Sequence, residues 1–223
     1  MIKAADLISE IFLRQVSPLN VETRRMLEIS GDALSQEALR YFRINFGPWD
    51  RLSANEPFIG DRRKPAGAGF YPEDVSKEEF QKWIEEHPED KPLFTGLYTV
   101  VRRQGSKLVA VPYSKEYREF LAPASELLKE AAEMTENESL RGFLMSRAEA
   151  FLRDDYFQSD MDWMDLDSTL EVTIGPYEVY EDGLFGYKAA FEAFITVNDQ
   201  TESAKLRKYA SLLPDMELHL PIL

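Results

Sequence analysis

The chain has 223 residues, of which 44% are hydrophobic and 30% charged, and its 26 basic and 40 acidic side chains give a formal net charge of −14. This composition excludes collagen-like and wholly disordered chains, and it disfavours a nucleic-acid partner, because binding to phosphates depends on clustered Lys and Arg. The sequence contains no cysteine, which excludes disulfides, thiolate nucleophiles and Cys-ligated zinc and fits a reducing compartment.

The length suits one large domain or two small ones, since domains usually have ~100 to 200 residues. We expect a single domain over residues 1–223. The stretch from Met1 to Leu13 includes Lys3, Asp6 and Glu10, so it lacks the uninterrupted apolar core of a signal peptide. No run of about 18 apolar residues occurs. The sequence therefore predicts a cytoplasmic protein without a membrane partner.

The N-terminal part of the chain has the periodicity of helices. Apolar residues recur at helical spacing in three segments, over residues 3–15, 21–29 and 35–46. Residues 48–72 are rich in Pro and Gly and predict a long loop. The Ser76–Glu79 spacing is that of a capping box, in which the Ser oxygen accepts from a free amide at the helix start. It predicts a helix over residues 77–87.

The middle of the chain combines a hairpin with further helices. Two β-rich segments, residues 97–103 and 107–111, flank a Gly-containing turn and predict a β-hairpin. Helical periodicity returns over residues 115–134 and 138–152, although Pro123 must start, kink or interrupt the first of these helices.

The last third has mixed signals. Residues 170–180 contain β-branched residues around Gly175-Pro176 and predict a strand, a bend and a second strand. Residues 186–212 predict a final helix. The sequence as a whole predicts a helix-rich α+β fold, with several helices around a β-hairpin and a strand–bend–strand segment.

Motifs for metal or nucleophilic catalysis are missing. The two histidines, His87 and His219, are far apart in the chain, and neither lies in an H-E-x-x-H motif, where a pair one helical turn apart would bind zinc. No G-x-S-x-G, P-loop or G-x-G-x-x-G sequence is present. We therefore expect no metal site, no cofactor and no catalytic residue within this chain.

One acidic segment, residues 154–187, stands out because it contains ten carboxylates and no Lys or Arg. A calcium-binding loop is excluded, because Asp165 takes the position of the glycine that an EF-hand turn requires. A glycosidase-like pair needs two facing carboxyls, and spacing identifies no partner for Glu171. A site for an ammonium or guanidinium group suits carboxylates beside aromatic rings. The remaining alternative is a solvated acidic loop.

Several blocks of the sequence resemble the dipeptidyl peptidase III family of zinc metallopeptidases. The resemblance runs over nearly the whole chain, and the matching stretches are Tyr41-Phe-Arg-Ile-Asn-Phe-Gly-Pro-Trp-Asp-Arg-Leu52, Pro65-Ala-Gly-Ala-Gly-Phe-Tyr-Pro72, Trp163-Met-Asp-Leu-Asp167 and Glu171-Val-Thr-Ile-Gly-Pro-Tyr-Glu-Val-Tyr-Glu-Asp-Gly-Leu-Phe-Gly186. The last block is long enough to be fairly specific.

The resemblance implies a role in peptide hydrolysis that this chain does not perform alone. Family members remove dipeptides from peptide amino ends, using zinc held by H-E-x-x-G-H and by a Glu of E-E-x-x-A-D. Neither motif is present here, and in the family both follow the region that this chain resembles. This sequence ends at Leu220-Pro-Ile-Leu223, where the sequences of relatives continue. The resemblance therefore implies the N-terminal, zinc-free portion of such an enzyme, whose partner is the missing C-terminal, zinc-bearing part.

The resemblance also implies which residues contact substrate. Glu171 matches the Glu that holds the ammonium group of the peptide N-terminus. Thr173 stands where better-known relatives carry a ring hydroxyl, and Glu178 lies in the same block. Glu171, Thr173 and Glu178 are therefore the predicted substrate-binding residues. The alternative is a free-standing, non-catalytic peptide-binding or regulatory protein derived from this family.

Overall fold

The computed structural model describes residues 1–221, so that Ile222 and Leu223 of the Leu220–Leu223 stretch lie outside the described residues. Eleven helices occur in this part of the chain: α1 Ile2–Val16, α2 Asn20–Ser30, α3 Ala33–Asn45, α4 Lys77–Glu86, α5 Lys91–Phe94, α6 Tyr113–Glu116, α7 Arg118–Met134, α8 Glu138–Arg153, α9 Phe157–Met164, α10 Gln200–Ala210 and α11 Leu213–Leu218. Six strands form three antiparallel pairs: β1 Trp49–Asp50 with β2 Glu56–Pro57, β3 Thr99–Gln104 with β4 Lys107–Pro112, and β5 Leu170–Glu178 with β6 Ala190–Val197.

The predicted helix-rich α+β fold is confirmed, and the helices that the sequence predicts before residue 153 are present with small shifts at their ends. Local signals explain this agreement. The Oγ atom of Ser76 accepts a hydrogen bond from the Glu79 amide at 3.1 Å, as the capping box predicts. The β3–β4 hairpin has its turn where the sequence places it. Pro123 lies in the second turn of α7 and does not end the helix.

One buried cluster joins the helices to both longer strand pairs. α1 packs against α7 and β6, and α7 packs along α8. Ile8 of α1, Leu128 of α7 and Phe151 of α8 are almost fully buried, as are Val172 and Ile174 of β5. Burial of each such apolar side chain contributes ~1.5 to 3 kcal/mol, so the β5–β6 pair is firmly held on one face.

The predicted strand–bend–strand over residues 170–180 is found as one strand with an irregularity at its Gly-Pro pair. β5 runs without interruption from Leu170 to Glu178, and its pairing with β6 shifts register between Pro176 and Glu178. A β-bulge of this kind absorbs the residues that would otherwise end the strand. Gly175 has a φ of +152°, a backbone conformation that favours glycine, and the strand continues through the Gly-Pro pair.

The predicted helix over residues 186–212 is wrong in its first half. Residues 190–197 form β6, which pairs antiparallel with β5 so that Glu171 lies opposite Thr196 and Thr173 opposite Phe194. This segment reads Ala-Phe-Glu-Ala-Phe-Ile-Thr-Val, and apolar runs of this length fit either a strand or a buried helix. Pairing with β5 decides between them, because among residues 1–221 β6 is the strand that completes the backbone hydrogen bonds of β5.

Candidate functional site

Strand β5 presents Glu171 and Thr173 on the face that points away from the core. Alternation along the strand buries Val172 completely, while Glu171 is exposed and Thr173 is half-buried. Phe194 of β6, opposite Thr173, is 59% exposed. The outward face of the β5–β6 pair therefore brings together a carboxylate, a hydroxyl group and an aromatic ring.

The carboxylate of Glu171 is held by an amide. The Nδ2 atom of Asn198 donates a hydrogen bond to Oε1 of Glu171 at 3.1 Å. The Oδ1 atom of Asn198 accepts in turn from the hydroxyl of Ser203 on α10. Within residues 1–221 no Lys or Arg forms an ion pair with Glu171. The side chain of Glu171 thus lies on an accessible face and is oriented from one side only, by Asn198.

Glu178 lies at the other end of β5, away from Glu171. Seven residues of strand separate the two carboxylates by roughly 23 Å, at ~3.3 Å per residue. Glu178 is near Glu192 of β6, and the pKa of Glu192 is raised by burial and by the charge of Glu178. The hydroxyl of Tyr180 donates to Oε1 of Glu192 at 3.3 Å. The three predicted residues therefore belong to two places, with Glu171 and Thr173 at one end of the strand.

The acidic segment, residues 154–187, is not one continuous anionic site, because distant parts of the chain supply cations and amides to several of its carboxylates. Asp160 accepts from Nη2 of the buried Arg147 at 2.6 Å. Glu181 is almost fully buried and pairs with Arg51 at 3.0 Å and Lys64 at 2.5 Å. The absence of Lys and Arg within the segment therefore does not persist in three dimensions.

Asp154 and Asp182 have structural roles as well. Asp154 accepts from the Ser114 amide at 2.9 Å, at the start of α6, and burial raises its pKa. Asp182 accepts the hydroxyl of Tyr71 at 2.7 Å and the Tyr187 amide at 2.9 Å. These bonds fix the loop between β5 and β6. The bonds with Ser114 and Tyr71 could not be anticipated from the local sequence, because these two partners are distant in the chain.

Lys188 fixes the same loop to the start of the β3–β4 hairpin. Its ammonium group is fully buried and donates to the carbonyl oxygens of Phe94 at 2.7 Å and Gly96 at 2.9 Å, and to Oγ1 of Thr99 at 2.7 Å. Burial lowers the pKa of Lys188 to about 7. All three partners are atoms of the protein, so Lys188 has a structural role and is not a free binding group.

Concave surfaces adjoin the β5–β6 pair at three places. A cleft of about 530 Å³ lies at the Glu178 end of β5, and Lys64, Tyr180 and Glu181 are among its lining residues. A smaller apolar pocket of about 160 Å³ is lined in part by Phe12 and Phe194. The apolar pocket is also lined by Tyr180 and Glu192, so it extends from Phe194 towards the Glu178 end. A third concavity, of about 570 Å³, lies at the Glu171 end of the pair and is lined in part by Leu170 and Val197.

The described residues do not form a metal site. Within residues 1–221 no group of three or more His, Cys, Asp or Glu side chains is placed to hold a metal ion. The ring of His87 stacks on Trp83 at 4.1 Å, and Nδ1 of His219 lies 2.6 Å from the carbonyl oxygen of Asp215. The donors in this part of the chain therefore do not fit the zinc ion that the resemblance implies. Among the same residues, no helix is both long and apolar enough to cross a bilayer.

Comparison with known proteins gives consistent matches. Residues 98–222 match the family model described as Peptidase family M49. The solved structure of DPP III from Caldithrix abyssi superposes with a TM-score of 0.93 at 57% identity, over 98% of this chain and 42% of that one. The dipeptidyl-peptidase III from Corallococcus sp. strain EGB gives a TM-score of 0.89 at 45% identity, over 98% of this chain and 41% of that one.

A plant protein is also similar over the whole chain. Nudix hydrolase 3 of Arabidopsis thaliana is 36% identical over 274 aligned residues, which include 100% of this chain and 36% of the plant protein. The chain thus spans about two fifths or less of each of these relatives. The matched third of the plant protein need not carry the activity in its name. The predicted resemblance is confirmed by both solved structures.

Proposed function

The chain belongs to peptidase family M49, and we propose that it is the N-terminal, substrate-positioning portion of a dipeptidyl peptidase III-like zinc metallopeptidase. Such an enzyme removes dipeptides from the amino ends of peptides. The observation that carries this proposal is the exposed, amide-held carboxylate of Glu171 on the outward face of β5. The absence of cysteine supports a cytoplasmic location.

In this proposal Glu171 receives the ammonium group of the peptide. One carboxylate oxygen accepts from Asn198, which leaves the other oxygen for the charged amino end. The hydroxyl of Thr173 can accept a further hydrogen bond from the same group, and the apolar pocket beside Phe194 suits an apolar side chain of the peptide. A hydrogen bond to a charged group contributes ~1.5 to 3 kcal/mol. This is too little to hold a peptide unless further residues contact it from the opposite side of the site.

Glu178 has a different place in the proposal. A peptide whose amino end lies at Glu171 needs about seven extended residues to reach Glu178, at ~3.3 Å each. Glu178 is therefore proposed as a contact for longer peptides only.

Hydrolysis is assigned to the zinc-bearing C-terminal portion of the enzyme, which is the proposed partner of this chain. The described residues do not fit a zinc ion, so they are not assigned any step of the hydrolysis. Their contribution is to bind and orient the amino end of the peptide, which sets how far along the substrate the cleaved bond lies. Alone, the chain is proposed to be inactive.

A chimera tests this proposal. Residues 1–221 would replace the matched N-terminal portion of the Caldithrix abyssi DPP III, which is 57% identical. We expect the chimera to release dipeptides from peptides with a free amino end, and Glu171→Gln to lower kcat/KM by ~10- to 150-fold through the lost charge-assisted bond. Asp165→Asn is the matched control, because it removes an exposed carboxylate of the same acidic segment.

Two outcomes would contradict the positioning role: an equal effect of Glu171→Gln and Asp165→Asn on kcat/KM, or no effect of either. Calorimetry on the chain alone addresses the alternative of a free-standing binding protein. Micromolar affinity for short peptides, dependent on a free amino end and lost in Glu171→Ala, would favour that alternative. The positioning proposal expects weak or undetectable binding by the chain alone.

A further inference from the structure

The C-terminal arm, residues 199–221, is a helical segment with no buried residue within the described part of the chain. It consists of α10 and α11. Five apolar residues follow one another at spacings of three and four, and each is between 51% and 68% exposed: Leu206, Tyr209, Leu213, Met216 and Leu220. The spacing places Leu206 and Tyr209 on one side of α10 and Leu213 and Met216 on one side of α11, and Leu220 follows just after α11. We call this set the apolar stripe, and apolar residues at such spacing are typical of a face that packs against another element.

Such a stripe is not expected to remain uncovered. Isolated helices shorter than ~12 to 15 residues are marginal in water, and most of their stability comes from packing of the apolar face. α10 has eleven residues and α11 has six. The arm therefore depends on a partner for a stable helical conformation.

The comparisons indicate what that partner is. Both solved DPP III structures match 98% of this chain, and the remaining 2% of 223 residues is about four residues. The arm, at residues 199–221, must therefore lie largely within the matched region. Those chains have more than half of their length outside the match. The arm thus has the same course in proteins that possess further chain to cover it.

Charge argues against a second copy of this chain as the occupant. Two copies would bring together net charges of −14 each, and like net charges oppose association. α10 itself carries Lys205, Arg207 and Lys208 against Glu202, or three positive charges and one negative. The rest of the arm carries Asp199, Asp215 and Glu217, so acidic side chains of a partner would complement α10 alone, and an apolar groove would complement the stripe.

We propose that the C-terminal arm is the docking element through which this chain binds the zinc-bearing portion of an M49 peptidase, with the apolar stripe from Leu206 to Leu220 as the contact. This rests on the proposed function and names the surface that it needs. The arm is also linked to the substrate site, because Ser203 of α10 donates to Asn198, and Asn198 donates to Glu171 at 3.1 Å. Docking of the arm therefore fixes the amide that orients Glu171.

Hydrogen exchange measured by mass spectrometry tests the docking without reading peptide cleavage. The amides of α10 and α11 would be compared between the chain alone and the chimera with the Caldithrix abyssi portion. We expect exchange to be at least ~100-fold slower in the chimera, since docked helices open far less often than free ones. Leu206→Glu with Met216→Glu should remove that protection. Ala204→Glu, on the opposite side of α10, should leave it unchanged.

Equal exchange of the arm in the chain alone and in the chimera would overturn the proposal. So would protection in the chain alone that rises with its concentration, since a second copy would then be the occupant. Loss of protection in Ala204→Glu to the same extent as in the double variant would also refute the assigned face. If the arm is protected but Glu171→Gln leaves kcat/KM unchanged, the docking stands and the proposed substrate role of Glu171 fails.

Discussion

Replacement of Gly175 with alanine tests how β5 is held in place. A Cβ atom at this position would lie 2.3 Å from Nη1 of Arg147, at a backbone φ of +152°. The side chain of Arg147 is fully buried and is bound to Asp160 at 2.6 Å. It also lies 5.4 Å from the ring centre of Tyr156 and 5.3 Å from that of Tyr177. The guanidinium group therefore has little room to move away from an added methyl group.

Two effects add in Gly175→Ala. Overpacking of a closely filled interior costs ~1 to 3 kcal/mol, and a non-glycine residue in a sparsely populated backbone region costs ~1 to 3 kcal/mol. We expect the free energy of unfolding to fall by about 2 to 6 kcal/mol, a large part of the ~5 to 15 kcal/mol of an ordinary domain. The first effect requires Arg147, and the second does not.

Urea unfolding near neutral pH, analysed as a double-mutant cycle with Arg147→Ala, separates the two effects. In the Arg147→Ala background the Cβ atom no longer meets the guanidinium group, so Gly175→Ala should cost only the backbone strain. The coupling between the two substitutions should be at least about 1 kcal/mol. If Gly175→Ala costs the same in both backgrounds within ~0.5 kcal/mol, contact with Arg147 is not the reason for glycine at this position.

Two further substitutions test other parts of the framework. In Gly69→Ala the new Cβ atom would lie 2.0 Å from the carbonyl oxygen of Arg14 on α1. Because the backbone of a helix cannot move away easily, we expect the free energy of unfolding, measured in urea, to fall by more than ~3 kcal/mol. A fall below ~1 kcal/mol would contradict this contact. The pKa of Glu10 is lowered from 4.5, mainly by the hydrogen bond that it accepts from Arg24. The ionised Glu10 therefore stabilises the fold at pH values above its unfolded-state pKa, and this contribution is lost as the pH falls through its folded-state pKa. Glu10→Gln should therefore cost ~1 kcal/mol near neutral pH, discounted for partial exposure, with the difference vanishing below about pH 3; a pH-independent difference would refute the ion pair.

Local patterns predict the elements whose causes are local. Helix α4 follows from the Ser76 cap, and the β3–β4 hairpin follows from two β-rich segments around a Gly turn. β6 could not be predicted in this way, because the apolar periodicity of residues 190–197 fits two structures. The choice depends on β5, which lies on the far side of the loop that Asp182 and Lys188 hold.

The candidate site shows the same limit. The resemblance identifies Glu171 and Thr173, and alternation in β5 places both on the outward face. Spacing along the chain could not reveal that Asn198 holds Glu171. It also could not reveal that Arg51 and Lys64, more than a hundred residues earlier in the chain, neutralise Glu181. The absence of Lys and Arg from a stretch of sequence therefore does not predict that its carboxylates form an anionic surface in the folded protein.

The most direct test of the account is whether the carboxylate of Glu171 recognises the amino end of a peptide. The measurement is the inhibition constant of one slowly cleaved peptide, in its free and N-acetylated forms, for the chimera and for its Glu171→Gln variant. The account predicts that acetylation weakens inhibition by ~10- to 150-fold in the chimera and by no more than ~2-fold in the variant, because the two changes remove the same interaction. An equal loss on acetylation in both proteins would show that the peptide's ammonium group binds elsewhere.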